Sequence, residues 1–220
     1  MRVYDRAGLS VLEASILRDE DGCEVRSEFE ATKRKFDIVV SLLLLPLLVV
    51  ATVTLFVLNP FFNRGPVFFV QTRMGRGCVP FAAIKFRSMR VAARIYRSSE
   101  CPLEEERITP LGRFIRKTRI DELPQILNVL RGEMSLIGPR PDYIVHAQKY
   151  LQEIPGYRQR HAVRPGISGL AQTEVGYVTG VSGTRRKVMA DLYYIRNCDV
   201  RMEAWIVWRT LAVILARKGA

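Results

Sequence analysis

The longest apolar stretch of the chain lies near its beginning, at residues 38–58 (IVVSLLLLPLLVVATVTLFVL), and it contains no charged residue. As a helix, these residues would be about 31 Å long, which is enough to cross the hydrocarbon core of a bilayer. The stretch starts too late and is too long for a signal peptide. We therefore predict a membrane helix over residues 31–62, and a buried helix of a soluble domain is the less favoured alternative.

Basic residues flank this apolar stretch on both sides, which is unusual for a helix that simply crosses a membrane. Residues 33–35 are Lys-Arg-Lys, and a series of arginines and lysines follows from Arg64 onward. Because basic flanks are retained in the cytoplasm, the two sides predict opposite orientations for a spanning helix. Pro46 lies inside the stretch and lacks a backbone donor, so it favours a bend. We predict a re-entrant helical hairpin with both ends in the cytoplasm, and a true span is the alternative.

Beyond the membrane segment the pattern indicates two short strands and then mainly helices. Runs of β-branched and aromatic residues predict strands at 67–71 and 81–86, joined by a Gly-rich turn. Helical spacing predicts elements at about 88–97, 111–118, 122–130, 141–152, 184–196 and 201–217. The predicted fold class is therefore α+β and mainly helical. Residues 63–220 form a small globular domain in this interpretation, and residues 1–30 form an N-terminal extension that we expect to be flexible.

The last predicted helix, residues 201–217, is amphipathic. Trp205 and Trp208 lie among aliphatic residues, and charges are confined to the ends of the helix and to Arg209. Such a helix suits the membrane interface, where tryptophan is favoured at the depth of the headgroups. Packing on the core of the domain explains the pattern equally well, so both interpretations stay open.

Composition adds a strong positive charge. The chain has 220 residues, with 34 Lys and Arg against 22 Asp and Glu, which gives a net charge of +12. This balance indicates an anionic partner. Nucleic acid, an acidic membrane surface and a phosphorylated substrate are the three alternatives, and composition does not choose among them. The four cysteines are far apart and form no C-x-x-C motif, which argues against a metal cluster and a disulfide framework. The motifs H-E-x-x-H, G-x-S-x-G and Walker A are absent from the sequence.

Candidate chemistry is concentrated in two adjacent acids and in arginines held by rigid loops. Asp121 and Glu122 lie just after a basic run at residues 116–119. Their simplest interpretation is a helix N-terminus, with Asp121 as the N-cap and Glu122 in the first turn. Arg140 lies in GPRPD and Arg164 in AVRPGISG. A planar guanidinium group in a loop stiffened by Pro and Gly loses little entropy when it binds phosphate oxygens. Together with the acid pair, these loops predict a site for an anionic substrate.

Taken together, these motifs resemble those of the monotopic phosphoglycosyl transferases, the bacterial sugar transferase family that starts polysaccharide assembly on polyprenol phosphate. The resemblance runs from about Lys33 to the C-terminus and leaves residues 1–30 outside. It depends on several long motifs in one order: KRKFD, GPVFFVQTRMG, IKFRSM, ITPLGRFIRKTRIDELPQILNVLRGEMSLIGPRP and HAVRPGISGLAQ. The short members that act in exopolysaccharide synthesis are the most similar.

The resemblance implies an enzyme of the bacterial inner membrane with a catalytic domain on the cytoplasmic face, from which interfacial amphipathic helices contact the bilayer. The implied reaction moves a sugar 1-phosphate, with galactose or glucose as the expected hexose, from a UDP-sugar to undecaprenyl phosphate and releases UMP. Mg²⁺ is the implied cofactor. Membrane lipid is a further expected partner, nucleic acid is not expected, and a homodimer stays open.

The resemblance also implies roles for individual residues. Asp121 would be the nucleophile that forms a covalent phosphosugar intermediate, Glu122 would be its partner, and both are candidate Mg²⁺ ligands. The residues expected to bind substrate are Lys85, Arg116, Arg140, Arg164 and Asp191. Elementary chemistry agrees, because a carboxylate that attacks an anionic diphosphate needs cations and a metal to neutralise the phosphate oxygens.

One feature departs from the family pattern. The helix-breaking Ser-Pro pair of the family would fall about one turn later, near Val50, whereas here Leu45 precedes Pro46. A break one turn earlier changes the depth and angle of a hairpin, so its geometry is left open.

A basic, membrane-tethered protein that binds nucleic acid or anionic lipid is the competing interpretation. It explains the positive charge and the apolar stretch. It gives no role to the pair Asp121 and Glu122 or to the rigid arginine loops.

Overall fold

The structure of the protein is a computed structural model that describes residues 27–91, 104–176 and 180–215. Its first element is the long helix α1 (Ser27–Phe62). The elements that follow are β1 (Phe68–Met74), β2 (Pro80–Phe86), α2 (Pro110–Lys117), α3 (Gln125–Arg131), β3 (Ser135–Ile137), α4 (Ile144–Glu153), β4 (Gly166–Ser168), α5 (Leu170–Glu174), α6 (Gly180–Asn197) and α7 (Val200–Leu215). The prediction of a mainly helical protein with small sheets is confirmed.

Helix α1 contains the whole apolar stretch, and among the described residues it is the one helix long and apolar enough to cross a membrane. It continues through Pro46 as a single helix, so the re-entrant hairpin is not confirmed and stays a prediction. The carbonyl that Pro46 deprives of its helical donor belongs to Leu42. The hydroxyl groups of Thr52 and Thr54 bond to other carbonyls one turn back and do not compensate for this loss.

One face of α1 packs on the globular domain along much of its length. Leu48 and Leu55 are buried in a cluster with Phe86, Ile115 and Ile126, which come from β2, α2 and α3. The opposite face is apolar and exposed over most of the helix; its members include Phe36, Val39, Leu43, Leu47, Val50, Val53, Phe56, Val57 and Phe61. Burial of one apolar face fixes α1 to the domain, and the other face is an exposed apolar patch among the described residues, of the kind that marks a membrane or partner contact.

The main core lies where α4, α6 and α7 meet. Val188 and Leu192 of α6, Ile206 of α7 and the Tyr157 side chain are fully buried there. On α7, Trp205 packs against this core while Trp208 is 69 % exposed. The helix therefore packs on the domain with one face, as the core interpretation predicts. It leaves Trp208 exposed on the other face, as the interfacial interpretation predicts.

The two sheets are small and each has two strands. Strands β1 and β2 form an antiparallel hairpin, and the side chain of Asn128 in α3 covers the free edge of β2, where it accepts a hydrogen bond from Ile84 N (3.1 Å) and donates one to Ala82 O (2.8 Å). Strands β3 and β4 are parallel and were not predicted. Glycine permits their close approach, because a Cβ atom on Gly166 would lie 2.1 Å from Gly138 N.

Several predicted boundaries differ from those observed. The predicted helix at 88–97 is not formed over its described part, residues 88–91, and residues 92–97 lie outside the described ranges. The helix predicted at 122–130 begins at Gln125, and a separate 3-10 turn (Ile120–Glu122) precedes it. Most of the predicted extension, up to residue 26, also lies outside the described ranges, and its last four residues begin α1.

Candidate active site

Three elements bring charged side chains to the acid pair. Glu122 ends the 3-10 turn and accepts a hydrogen bond on Oε1 from Lys85 Nζ of β2 at 2.6 Å. Arg140, in the loop between β3 and α4, donates to both oxygens of Glu122; the Nη1–Oε2 distance is 3.2 Å. Arg119 approaches Oε2 at 3.5 Å and has a φ of 59°. A left-handed arginine two residues before Asp121 is the kind of backbone strain that accumulates at functional sites.

Asp121, beside Glu122, has a different environment. Its Oδ1 atom is buried and has no hydrogen-bond partner. Burial, together with the adjacent charge of Glu122, raises the pKa of Asp121 to about 6, although Lys85, Arg116 and Arg140 oppose the shift. The N-cap interpretation of Asp121 is therefore wrong, because no helix end bonds to it and its pKa is raised rather than lowered.

The pKa of Glu122, the partner carboxylate, is shifted in the opposite direction. Burial alone would raise the pKa of Glu122, but Arg140 and Lys85 hold it well below its usual value. Burial lowers the pKa of Lys85 to about 8, although the charge of Glu122 opposes that shift. Two adjacent acids thus have divergent pKa values, which is a common sign of divided roles in catalysis.

Arg73 of β1 is a further cation of this site that the sequence interpretation did not identify. Burial, followed by the charge of Arg140, lowers the pKa of Arg73 to about 10, while Glu122 and Asp142 oppose the shift. Its Nη2 donates to Gln71 at 2.9 Å, and its Nη1 donates to Pro141 O. The predicted strand ended at residue 71. Extension of the strand pattern by two residues would have placed Arg73 on the same face as Lys85.

Asp191 does not lie with the acid pair. It is 1 % exposed in α6, where its Oδ2 accepts from Arg160 Nε at 2.9 Å. Burial raises the pKa of Asp191 to about 6, although Arg160 opposes the shift. Arg160, which the sequence interpretation also missed, donates to Asp142 and to the carbonyl oxygen of Arg140. Asp191 is thus connected to the site through Arg160.

Arg164 also lies apart from the acid pair. Its guanidinium group donates to Gly132 O at 3.0 Å and to Glu30 Oε1 at 2.8 Å, so it connects the domain to the beginning of α1. Arg116 on α2 acts on Asp121 through its charge, without a direct bond. Of the five predicted substrate-binding residues, Lys85 and Arg140 therefore contact the acid pair and Arg116 lies near it.

The described residues contain no group of three or more His, Cys, Asp and Glu side chains that is arranged to hold a metal. Mg²⁺ commonly uses one or two carboxylates and completes its coordination with water and substrate phosphates. The free Oδ1 of Asp121 fits such an ion. Glu122 fits it less well, because both of its oxygens already accept hydrogen bonds from cations.

Comparisons with known proteins identify relatives that cover most of the chain. It is 43 % identical over 191 residues to a UDP-N-acetylgalactosamine-undecaprenyl-phosphate N-acetylgalactosaminephosphotransferase from Aeromonas hydrophila, which covers 86 % of this chain and 44 % of that protein. It is 38 % identical over 196 residues to a UDP-glucose:undecaprenyl-phosphate glucose-1-phosphate transferase from Caulobacter vibrioides. That match covers 86 % of this chain and 69 % of that protein. The chain thus spans less than half of the first of these relatives and about two thirds of the second.

A third relative is similar in length to this chain. It is the exopolysaccharide production protein PSS of Rhizobium leguminosarum bv. phaseoli, 40 % identical over 193 residues, which cover 84 % of this chain and 96 % of that protein. The family model described as bacterial sugar transferase matches residues 28–217, a range that begins with α1 and includes every element of the site. On this match, and with relatives of this identity and coverage, the chain belongs to the bacterial sugar transferase family.

Proposed function

We propose that this protein transfers a hexose 1-phosphate from a UDP-sugar to undecaprenyl phosphate through a covalent phosphosugar intermediate on Asp121, as the first membrane step of exopolysaccharide synthesis. The named activities of the relatives support the reaction class, since they are undecaprenyl-phosphate transferases of glucose 1-phosphate and of an N-acetylgalactosamine phosphate. The exopolysaccharide production protein among them supports the pathway.

The observation that carries the proposal is the contrast between the two acids. Glu122 is saturated with cations, whereas Asp121 has a buried oxygen, Oδ1, without a hydrogen-bond partner. A carboxylate oxygen that is neither solvated nor bonded is more reactive than one in water, because attack does not require the loss of those partners. With a pKa of about 6, Asp121 is mostly ionised at neutral pH and is therefore available for attack.

In the first step, an Asp121 oxygen attacks the phosphorus atom that bears the sugar. A new O–P bond forms, the bond from that phosphorus to the bridging oxygen breaks, and UMP leaves with the electron pair. Lys85, Arg140 and Arg73 provide positive charge around the anionic diphosphate. Neutralisation of phosphate charge is the main requirement of phosphoryl transfer.

In the second step, a phosphate oxygen of undecaprenyl phosphate attacks the same phosphorus atom. The bond to Asp121 breaks, a polyprenol diphosphate sugar forms, and the carboxylate is regenerated. Glu122 stays ionised throughout, because Arg140 and Lys85 hold its pKa low against the effect of burial. Mg²⁺, for which the Asp121 carboxylate is the better-fitting protein ligand of the two acids, would when bound supply further neutralisation of the diphosphate.

The contacts of α1 support a monotopic placement in the cytoplasmic membrane. At its beginning, Lys33 pairs with Glu203 of α7 at 2.5 Å. At its end, Asn63 donates to Arg87 O at 2.7 Å. Both ends of α1 therefore contact the same charged domain, which favours one side of the membrane for both of them. We propose that this side is the cytoplasmic one, where UDP-sugars are available.

The experiment is intact-mass measurement of detergent-solubilised protein incubated with UDP-glucose or UDP-N-acetylgalactosamine and Mg²⁺, together with UMP release. We expect the wild type to gain the mass of one sugar phosphate, and Asp121→Asn to gain none. Asp199→Asn is the matched control, because Asp199 caps α7 through Met202 N at 2.7 Å and Asn retains that cap. Adduct of unchanged yield on Asp121→Asn would exclude Asp121 as the nucleophile.

A further inference from the structure

The loop that carries Arg140 is held at each of four consecutive carbonyl groups. Every one of them accepts a hydrogen bond from a different residue. The pairs are Pro139 O with Gly166 N at 2.9 Å, Arg140 O with Arg160 Nη2 at 2.9 Å, Pro141 O with Arg73 Nη1, and Asp142 O with Met74 N at 3.1 Å. Two of the donors are arginine side chains, the partly buried Arg73 and the buried Arg160, so this short loop is positioned by groups that are distant in the sequence.

Arg160 is itself held from several directions. It is 2 % exposed, and it donates to Asp191 Oδ2 from Nε at 2.9 Å and to Asp142 Oδ2 from Nη1. Its guanidinium group lies 5.1 Å from the centre of the Tyr157 ring, and the hydroxyl group of Tyr157 donates to Asp142 at 2.8 Å. The position of Arg160 is therefore fixed by Asp142, by Asp191 and by the ring of Tyr157.

Stability alone does not account for this arrangement. Burial of an arginine between two acids has a high desolvation cost, and well-packed apolar residues often stabilise a fold as much or more. What a multidentate buried arginine does supply is geometry, since the planar guanidinium group bonds in fixed directions. Here one of those directions leads to the backbone of Arg140.

The consequence for the acid pair follows from the chain connection. Arg140 reaches Glu122 with two hydrogen bonds, and such a fork tolerates little displacement. A shift of the Arg140 backbone would break the fork and change the charge around Asp121. Displacements near 1 Å at a reacting site can lower rates by about 100-fold.

We propose that Arg160 is a positioning residue for sugar phosphate transfer, which fixes the guanidinium group of Arg140 against Glu122 by holding the carbonyl of Arg140, and that Asp191 acts through Arg160 rather than by contact with substrate. This inference rests on the proposed function, because Arg140 is assigned to that reaction. It assigns roles to two residues that lie outside the contacts of the acid pair.

The test is a double-mutant cycle on the rate of adduct formation, which isolates the coupling between two residues. Arg160→Lys keeps the charge but lacks the planar guanidinium group that bonds Asp142, Asp191 and the Arg140 carbonyl in fixed directions. We expect it to slow the reaction by about 10-fold to 100-fold. In an Arg140→Lys background, we expect Arg160→Lys to slow the reaction by less than about threefold. The guanidinium fork on Glu122, which Arg160 is proposed to position, is already absent there. Arg186→Lys, an exposed arginine on α6, is the control and should change the rate little in either background.

The cycle separates the possible outcomes. A wild type that forms no adduct refutes the proposed function itself. An active wild type in which the losses from Arg160→Lys and Arg140→Lys multiply refutes the positioning role, because a purely structural effect is independent of Arg140. If Arg160→Lys does not fold, Asp191→Asn replaces it in the cycle, since it leaves Arg160 in place and removes one of its charged partners. A multiplicative loss for Asp191→Asn then overturns the proposal equally.

Discussion

Arg140 donates hydrogen bonds to both carboxylate oxygens of Glu122, with Nη1 3.2 Å from Oε2. Lys85 adds a third bond at 2.6 Å, so the acceptor capacity of Glu122 is largely used. The neighbouring carboxylate of Asp121 retains a free oxygen. Two acids that are adjacent in the chain thus have different environments, and on this difference rests the proposal that Glu122 organises cations while Asp121 reacts.

Arg140→Lys should impair the reaction although it preserves the charge. An ammonium group presents no planar fork, so it cannot bond both oxygens of Glu122 in parallel. We expect the rate of adduct formation to fall by about 10-fold or more, which corresponds to about 1.4 kcal/mol of transition-state stabilisation. The control is Arg186→Lys. Equal rates for the lysine variant and the wild type would exclude a role for the fork.

The rate of adduct formation should depend on pH with two limbs. Asp121 has a pKa of about 6, so its reactive ionised form is lost as the pH falls below that value. Lys85 has a pKa of about 8, so its charge is lost as the pH rises above that value. Single-turnover adduct formation between pH 5 and 9 measures both limbs. Lys85→Arg should shift the alkaline limb upward, and an alkaline limb that does not move would assign it to another group.

Asp121→Asn should stabilise the folded protein at neutral pH. The folded state retains the proton on Asp121 up to about pH 6, whereas the ordinary pKa of an aspartate, which holds in the unfolded chain, is 3.8. The folded state therefore binds more protons between these values, and stability falls as the pH rises through them. Removal of the buried charge should raise the free energy of unfolding by about 1–3 kcal/mol at pH 7.5.

The control for that prediction is the pH dependence of the gain. Denaturant unfolding at pH 3.5, where Asp121 is mostly protonated in both states of the wild type, should show little difference between Asp121→Asn and the wild type. A difference that persists there would assign the effect to packing, and Asp199→Asn should show no gain at either pH.

Both ends of α1 should lie on the cytoplasmic side. Single cysteines in place of the exposed residues Ala31 and Arg64, in a cysteine-free background, should be protected from a membrane-impermeant thiol reagent in intact cells and should react in inverted vesicles. A cysteine in place of Val145, which is 54 % exposed on α4, marks the side of the globular domain. Reaction of one α1 position from each side of the membrane would demonstrate a span.

Pro46→Leu tests whether proline causes a bend in the membrane. Leucine restores the donor for the carbonyl of Leu42 and removes the steric clash with the preceding turn. We expect the helix to shift toward a spanning orientation and the rate of UMP release to fall, as measured by the same labelling and by turnover. If topology and turnover both survive, another feature of α1 determines its orientation, and the buried hydroxyl group of Ser41 is the next position to change.

Local sequence patterns predicted much of the fold and the centre of the site. The apolar stretch, the β1–β2 hairpin and most helices have a periodicity or composition that depends on neighbouring residues alone. The parallel pair β3–β4 was missed, because three-residue strands carry too short a pattern and their pairing depends on the distant glycines Gly138 and Gly166. The capping interpretation of Asp121 was wrong because a separate 3-10 turn precedes α3.

The sequence by itself determined which residues have the chemistry: an acid pair, a lysine at a strand end and arginines in rigid loops, all in motifs that identify the family. Tertiary structure alone decided which of them meet. It brought Lys85 and Arg140 to Glu122, connected Asp191 to the site through Arg160, and paired Arg164 with Glu30 at the start of α1. The physical reason is that a charge is recognisable in the sequence, whereas its burial, its partners and hence its pKa depend on contacts between distant segments.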